Sequence, residues 1–319
     1  MGRSSKPVVF SPIRQRGSMM QVWFLPLLTI NKNMSKKDPF KTPESQFNWS
    51  RCDFEQRFGF KGGRFTAPNN VFTFILGCLL TVSFFAGVIY LAKPVPALEP
   101  YTNMFLERGI IPYATMLLFL WSMAILFVKS RKLALQRKVL RIQPVPIEPD
   151  FVLNRETANE VLTRLRGIAD NTSHFLLMNR VDRALSNLQN IGHIADISDI
   201  LRTQTQYDEE QLASGYGLLN GFVWAIPVLG FIGTVLGLSN AIGAFGATLR
   251  AGTDLTGLRA SLQTVAGGLG LGFDTTLIAL VCTLIIQLLL TFMQNKESAF
   301  LDECNEYCHA HIISKLKLI

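Results

Sequence analysis

The sequence predicts an all-α membrane protein in which four transmembrane helices are joined to a cytoplasmic helical bundle. Three observations support this fold class. Hydrophobic residues make up 49% of the 319 residues and charged residues only 17%, whereas soluble domains usually carry about a quarter charged residues. The chain contains several long uncharged stretches. Its other apolar residues recur at helical spacing, without the alternation that is typical of strands.

Four stretches with almost no charge are long enough to cross a bilayer as helices, which takes about 20 residues. A short connection joins the first two, so we expect them to form a hairpin. The third is longer than one span requires, and an apolar stretch interrupted only by Asp274 precedes the fourth. The predicted spans are residues 71–92, 109–128, 218–249 and 275–295.

The basic residues indicate how these helices cross the membrane. One group of basic residues precedes the first span. A second group follows the second span, between Lys129 and Arg141, and contains no acidic residue. Loops that remain in the cytoplasm carry such an excess of Lys and Arg. We therefore expect a multi-pass protein of a bacterial inner membrane with both termini in the cytoplasm. The formal charge of +8 is assigned to these membrane flanks, and nucleic acid is not expected as a partner.

These assignments divide the chain into five parts. A basic N-terminal segment comes first, and translation could begin at Met1 or at Met34, which starts an ordinary polar N-terminus. A helical segment separates the two pairs of membrane helices, and a helical tail follows the second pair. The predicted boundaries are residues 1–70, 71–128, 129–217, 218–295 and 296–319.

The segment between the second and third spans shows helical periodicity. Val161, Leu162, Leu165 and Ile168 fall on one face of a helix over residues 154–170. An amphipathic face needs a partner, so we expect a bundle that extends the transmembrane helices. The charged side chains of this segment are interpreted as a solvated surface; they include Arg164, Arg166, Arg180, Asp182 and Arg183.

The sequence contains no pattern that predicts catalysis, a metal or a cofactor. The spans hold no acid–base or nucleophile constellation, and the Gly-rich run over residues 268–272 follows no strand, so it is not a dinucleotide motif. Cys304, Cys308 and His311 share a helical face, but their spacing is not that of a recognised zinc site. We therefore expect a protein that is not an enzyme.

Small and hydroxyl residues concentrate in the third span. Gly230, Gly233 and Gly237 lie on one helical face, and such a stripe lets two helices approach closely in lipid. Thr234 lies among these glycines and Pro227 precedes them. The order is Pro, then Gly-x-x-Gly-Thr-Val-x-Gly.

The fourth span begins with a second motif, Gly-Phe-Asp-Thr-Thr-Leu-Ile-Ala-Leu, which contains Asp274, Thr275 and Thr276. Together the two motifs resemble the last two helices of the MotA/TolQ/ExbB proton-channel family, over about residues 218–294. Both motifs occur in the family's order on adjacent spans. The motifs are most similar to the non-flagellar members, whereas four spans match the MotA layout.

The resemblance implies a homopentameric ring, with the third and fourth spans lining a pore. The ring would surround the helices of two partner subunits of the MotB/TolR/ExbD type, each with a single span that contains an ion-binding aspartate. By motif position, Thr234 and Thr276 match the hydroxyls that face this aspartate, with Thr275 as the alternative to Thr276. Pro227 matches the family's helix-three proline. The implied function is the pore-forming subunit of an energy-transducing motor driven by protons or sodium ions.

Two alternatives remain open from the sequence. Asp274 is expected to face the pore, since an acid within a span is a functional candidate; alternatively, it caps a helix that begins at Thr275, at the membrane interface. The alternative function is a non-conducting membrane scaffold that assembles through its Gly-rich helices. In such a scaffold the threonines would only bond to carbonyls of their own helix.

Overall fold

The computed structural model describes residues 53–92, 99–106, 109–142, 144–146, 151–169, 171–187, 194–250 and 255–316. These residues belong to a unit that spans Thr42–Ile319. The predicted N-terminal segment up to residue 52, with both candidate start sites, lies outside the described residues. The described part of the chain is helical and contains no strand, which confirms the all-α prediction.

The helices follow one another along the chain with short connections. A 3₁₀ turn, Thr172–His174, precedes α6, and a π-helical turn, His309–Ile313, follows the last helix. The helices are α1 Phe54–Arg57, α2 Asn70–Ala92, α3 Glu99–Leu106, α4 Ile111–Leu140, α5 Arg155–Ile168, α6 Leu176–Asn187, α7 Ile194–Ser214, α8 Gly217–Arg250 and α9 Leu255–Cys308.

Among the described residues, four helices are long and apolar enough to cross a membrane, and they are α2, α4, α8 and α9. They contain three of the predicted spans in full and the second from Ile111 onward, because α4 begins two residues after the predicted start. The chain is therefore a multi-pass membrane protein. Two of these helices extend beyond the predicted spans, because α4 continues to Leu140 and α9 runs without a break for about 80 Å at 1.5 Å per residue. The short helix α3 lies within the predicted hairpin connection, with Pro100 in its first turn, where a missing N–H is tolerated.

The membrane helices pack through small residues. The most extensive pairing is between α8 and α9, while α4 packs on both of them and α2 packs on α4. Gly77 of α2 shows how closely α2 and α4 approach, because a Cβ at this position would lie 2.8 Å from the Cα of Trp121. Such close approach is typical of helix pairs in membranes.

The remaining helices form what we call the polar bundle, which consists of α5, α6, α7 and the ends of α4 and α9 after Lys129 and Lys296. α5 begins with a capping box, in which the Asn154 side chain accepts from the Thr157 N–H at 3.0 Å and the Thr157 hydroxyl accepts from the Asn154 N–H at 2.8 Å. The predicted apolar face of α5 is buried; its residues are Val161, Leu162, Leu165 and Ile168.

Arg180 is an exception to the predicted solvated surface of the polar bundle. Its side chain is only 1% exposed, and its Nε donates to Asp208 Oδ2 at 2.6 Å. The interpretation of Arg180 as a solvated residue was therefore wrong. A buried guanidinium requires a nearby carboxylate, and Asp208 lies on another helix, so the local pattern around Arg180 could not reveal it. Arg166 agrees with the prediction, since it is 64% exposed.

Candidate ion pathway

The antiparallel helices α8 and α9 meet along a line of small residues, which we call the α8–α9 seam: Gly230, Gly233, Gly237 and Ala241 of α8, and Gly268, Gly272, Thr275 and Ala279 of α9. A Cβ at Gly230 would lie 2.6 Å from the Cβ of Ala279, and one at Gly237 would lie 2.9 Å from the carbonyl oxygen of Gly268. The two backbones therefore touch, and the predicted glycine stripe faces α9.

Two threonine hydroxyls face each other across this seam. Thr234 Oγ1 and Thr276 Oγ1 are 3.3 Å apart. Thr234 Oγ1 also lies 2.7 Å from the Phe231 carbonyl oxygen, and Thr276 Oγ1 lies 3.1 Å from that of Gly230 and 3.2 Å from that of Gly272. Each hydroxyl has one proton and more acceptors than it can serve at once. Rotation of either hydroxyl therefore changes which acceptor receives its proton.

The structure distinguishes Thr276 from Thr275. The Thr275 side chain is buried and donates to the Gly272 carbonyl at 2.8 Å. It lies against Gly233, where Ile111 of α4 also approaches. This side of the seam is therefore covered by α4, and Thr275 is a packing residue within the protomer.

The hydroxyl pair lies on the other side of the seam. Thr234 follows Gly233 and Thr276 follows Thr275, and one position corresponds to about 100° around a helix. Because α8 and α9 are antiparallel, both steps turn in the same direction, away from the side that α4 covers. Thr234 and Thr276 are accordingly only partly buried.

Asp274 lies inside α9 and on a different face from the hydroxyl pair. Because α9 begins at Leu255, Asp274 does not cap a helix that starts at Thr275. It precedes Thr276 by two positions, or about 200° around the helix. Its partly buried side chain shares a face with the buried Ile278, one turn later. Within one protomer Asp274 is therefore separate from the Thr234–Thr276 pair.

Pro227 lies within α8 rather than at its end. Proline has no N–H, so the carbonyl of Val223 lacks its usual helical hydrogen bond. Pro227 is about two helical turns from Thr234, between the hydroxyl pair and the start of α8. It marks a locally weakened point in the helix that carries Thr234.

A buried charged cluster ties the ends of the membrane helices to the polar bundle, and sequence reasoning missed it. Lys129 Nζ of α4 lies 3.2 Å from Glu297 Oε1 of α9 and 4.1 Å above the ring of Tyr216, which precedes α8. The Tyr216 hydroxyl donates to Glu297 Oε2 at 2.7 Å. Lys129 directly follows the predicted second span and Glu297 lies two positions after the end of the fourth, but we interpreted Lys129 only as a sign of membrane orientation.

Lys132 is buried in a second cluster of the same kind. Its Nζ donates to Glu55 Oε2 at 2.5 Å and to the Ala67 carbonyl at 2.8 Å, and it lies 3.7 Å from Asp53 Oδ2. Glu55 in turn accepts from the backbone N–H of Asn69 at 2.7 Å. These contacts fix the segment before α2 to α4, so part of the basic run after the second span has a structural role.

Comparison with known proteins bears directly on the α8–α9 seam. Residues 173–306 match the sequence model of the MotA/TolQ/ExbB proton channel family. Neither the comparison with curated proteins nor that with solved structures gives a match. The matched region begins just before α6 and contains α7, α8 and most of α9, so it includes the seam and the hydroxyl pair. Residues 173–306, which contain both predicted motifs, therefore match the MotA/TolQ/ExbB proton channel family, as the resemblance predicts.

Proposed function

We propose that this chain is the pore-forming subunit of a motor driven by protons or sodium ions in a bacterial inner membrane. The observation that carries the proposal is the Thr234–Thr276 pair, with its oxygens 3.3 Å apart on the side of the α8–α9 seam that α4 leaves uncovered. The match of residues 173–306 to a proton channel family supports an ion-driven role and a transport function rather than an enzymatic one.

The chemistry of the hydroxyl pair suits ion passage through a membrane. A bare charge within the hydrocarbon costs several kcal/mol or more, about 3 on insertion scales, unless oxygen ligands replace its water. Hydroxyl oxygens can ligate a sodium ion, and a hydroxyl can accept one proton while it donates another. Because Thr234 and Thr276 carry no charge of their own, an ion that they pass on is not retained by a fixed counter-charge.

The proposed pathway needs a carboxylate from another chain. Asp274 is the only acidic residue in residues 217–250 and 255–295, and it is about 200° around α9 from Thr276. We therefore assign Asp274 to the side of the seam that α4 covers rather than to the hydroxyl pair. A single-span partner of the MotB/TolR/ExbD type, with an aspartate at membrane depth, would supply the group that takes up and releases the ion.

A homo-oligomeric ring, a pentamer by resemblance, would bring the hydroxyl pairs together. With the uncovered side of the seam toward the ring axis, α4 and α2 would lie toward the lipid. Large apolar side chains that are exposed on the protomer would then meet lipid or neighbouring copies; they include Val82, Trp224, Phe231, Leu277, Leu284 and Phe292. In this arrangement α8 and α9 would surround the partner helices.

Ion flux in liposomes tests this proposal. The protein is reconstituted with and without a single-span subunit of the MotB/TolR/ExbD type, sought among the neighbouring genes, and proton or sodium flux is followed after a gradient of each ion is imposed. We expect flux that follows one of the two gradients and requires the partner. The partner's own aspartate changed to Asn provides the control, since it leaves the assembly in place but removes the ion-binding group.

A different result would favour the scaffold alternative. If well-assembled complexes of ring and partner show no flux with either ion, the chain is a structural membrane protein. The hydroxyls of Thr234 and Thr276 would then serve only to satisfy carbonyls at the helix seam.

A further inference from the structure

The polar bundle contains a cavity of about 330 Å³ that is separate from the ion pathway. Its walls come from α6, α7 and the end of α9. The polar side chains that line it include Arg180, Ser198, Arg202, Gln206, Asn305 and His309. Among the described residues, its lining contains no acidic side chain, although Arg180 is paired with Asp208, which lies outside the lining.

Arg180 is held rigidly at the wall of this cavity and retains unused donor capacity. Its Nε is bonded to Asp208, and its Nη1 donates to Asn305 Oδ1. The side chain is 1% exposed, yet its Nη2 has no hydrogen-bond partner in the described structure. A buried guanidinium N–H without an acceptor costs about 1–3 kcal/mol, and an anion in the cavity would supply that acceptor.

The surrounding network holds Arg180 in place and uses the hydroxyl of Thr205, which also lines the cavity. Asp208 Oδ1 accepts from Gln204 Nε2 at 2.7 Å, and Asn305 Oδ1 accepts from the Thr205 hydroxyl at 3.0 Å. Asn305 Oδ1 thereby accepts two hydrogen bonds, and each carboxylate oxygen of Asp208 accepts one. The guanidinium is preorganised for a ligand, which lowers the entropic cost of binding one.

We infer that this cavity binds a small, soluble, phosphate-bearing anion. Arg180 contributes from α6, Arg202, Ser198 and Gln206 from α7, and His309 from the turn after α9, so donors surround the space from several directions. This arrangement suits a tetrahedral phosphate with oxygens on all sides, and Arg is the preferred residue for phosphate. A volume of about 330 Å³ lies at the lower end of ligand pockets and leaves room for only a small organic part.

The distance from the membrane favours a soluble anion over a lipid headgroup. The fourth uncharged stretch ends at Asn295, and Asn305 lies about 15 Å further along the continuous helix α9. Headgroups extend only about 5–8 Å beyond the hydrocarbon on each side. A phosphate that is attached to a bilayer lipid would therefore not reach the cavity.

Calorimetry on the full-length protein tests this inference. The protein is placed in nanodiscs of zwitterionic phosphatidylcholine and titrated with inorganic phosphate. We expect saturable binding that Arg202→Ala weakens at least about tenfold, the effect of one lost charge-assisted hydrogen bond. Arg202 is exposed, so its replacement is not expected to unfold the bundle. Arg141→Ala, which removes an exposed positive charge at the end of α4 away from the cavity lining, should leave binding unchanged.

A second set of nanodiscs identifies the source of the phosphate. With phosphatidylglycerol in place of phosphatidylcholine, phosphate binding should persist. Loss of the titration signal in these nanodiscs would show that a lipid headgroup fills the cavity and would overturn the soluble-anion inference. Two other results would also overturn the soluble-anion inference. They are equal effects of Arg202→Ala and Arg141→Ala on phosphate affinity, and the absence of saturable binding up to about 10 mM phosphate.

Discussion

At the scale of single residues, the close packing of the α8–α9 seam depends on glycines, which have no side chain. Gly237 faces backbone atoms, since a Cβ there would lie 2.9 Å from the Gly268 carbonyl oxygen and 3.3 Å from the Gly272 nitrogen. Backbone atoms in a helix cannot rotate away as the end of a side chain can. This close approach also brings Thr234 and Thr276 within hydrogen-bonding distance. The packing residues and the proposed ion ligands are therefore parts of one structure.

We expect Gly237→Ala to force α8 and α9 apart and to lower the free energy of unfolding by about 1–3 kcal/mol, as overpacking does. Unfolding of the detergent-solubilised protein measures this loss. Gly243→Ala is the matched control on the same helix, because a Cβ at Gly243 meets nothing within 4 Å; it should be neutral or stabilise by up to about 1 kcal/mol. Equal stability of the two variants would contradict the packing account.

The glycine stripe of α8 could be predicted from the sequence, because Gly230, Gly233 and Gly237 recur at helical spacing. The surface of α9 that contacts this stripe could not be predicted, because Thr275 and Thr276 are adjacent and either could meet α8. The choice depends on which face α4 covers, and the contact of Ile111 with the Gly233 position decides it. The spacing of the residues in either motif does not reveal tertiary contacts of this kind.

At the scale of helices, the ends of the spans are fixed by buried charge. Lys129 and Glu297 are 0% and 3% exposed and join α4 to α9. Sequence reasoning placed the charges correctly at the ends of the uncharged stretches but could not pair them across separate helices. It also began the fourth helix too late, because Asp274 and the glycines before it resemble a helix boundary, whereas α9 begins at Leu255. A helix within a membrane satisfies its own backbone polar groups, and α9 accordingly continues through them.

We expect Glu297→Gln to lower the free energy of unfolding by about 3–5 kcal/mol, because it leaves Lys129 buried without a counter-charge. Denaturation in detergent, followed by circular dichroism, measures the loss. Glu303→Gln provides a control on the same two helices, since Glu303 faces Arg137 at 3.7 Å with both side chains over a third exposed. That substitution should cost at most about 1 kcal/mol. Similar losses in the two variants would argue against a structural role for the buried pair.

At the scale of the whole molecule, the charge distribution predicts orientation. Lys129 and Lys132 are buried in ion pairs. These two residues of the basic run after the second span therefore no longer serve as evidence for orientation. Exposed basic side chains remain on the same stretch, at Arg131, Lys138 and Arg141. The bias toward a cytoplasmic polar bundle therefore persists, because positive charge near the ends of a span is what retains a loop in the cytoplasm.

Labelling of single cysteines tests this orientation in a variant from which the five native cysteines have been removed. Ile110→Cys lies at an exposed position before α4, where Ile110 is 77% exposed, and Glu209→Cys lies on the exposed face of α7. A membrane-impermeant maleimide should label Ile110→Cys in intact spheroplasts and Glu209→Cys only after permeabilisation. The reverse pattern would invert the topology and place the polar bundle outside the cytoplasm.

The most direct test of the central claim is ion flux through liposomes that contain the protein and its partner, compared between two double variants. Thr234→Ser/Thr276→Ser keeps both hydroxyls and loses the methyl groups, whereas Thr234→Val/Thr276→Val keeps the shape and loses the hydroxyls. Thr283→Val serves as a control, because in the described part of the chain the Thr283 hydroxyl donates within its own helix, to the Ala279 carbonyl at 2.8 Å. Our account predicts that the serine variant and Thr283→Val conduct like the wild type, while the valine variant loses at least about tenfold in flux, which corresponds to ~1.4 kcal/mol in the barrier. Undiminished flux through a well-assembled valine variant would contradict it and would leave Thr234 and Thr276 as packing residues.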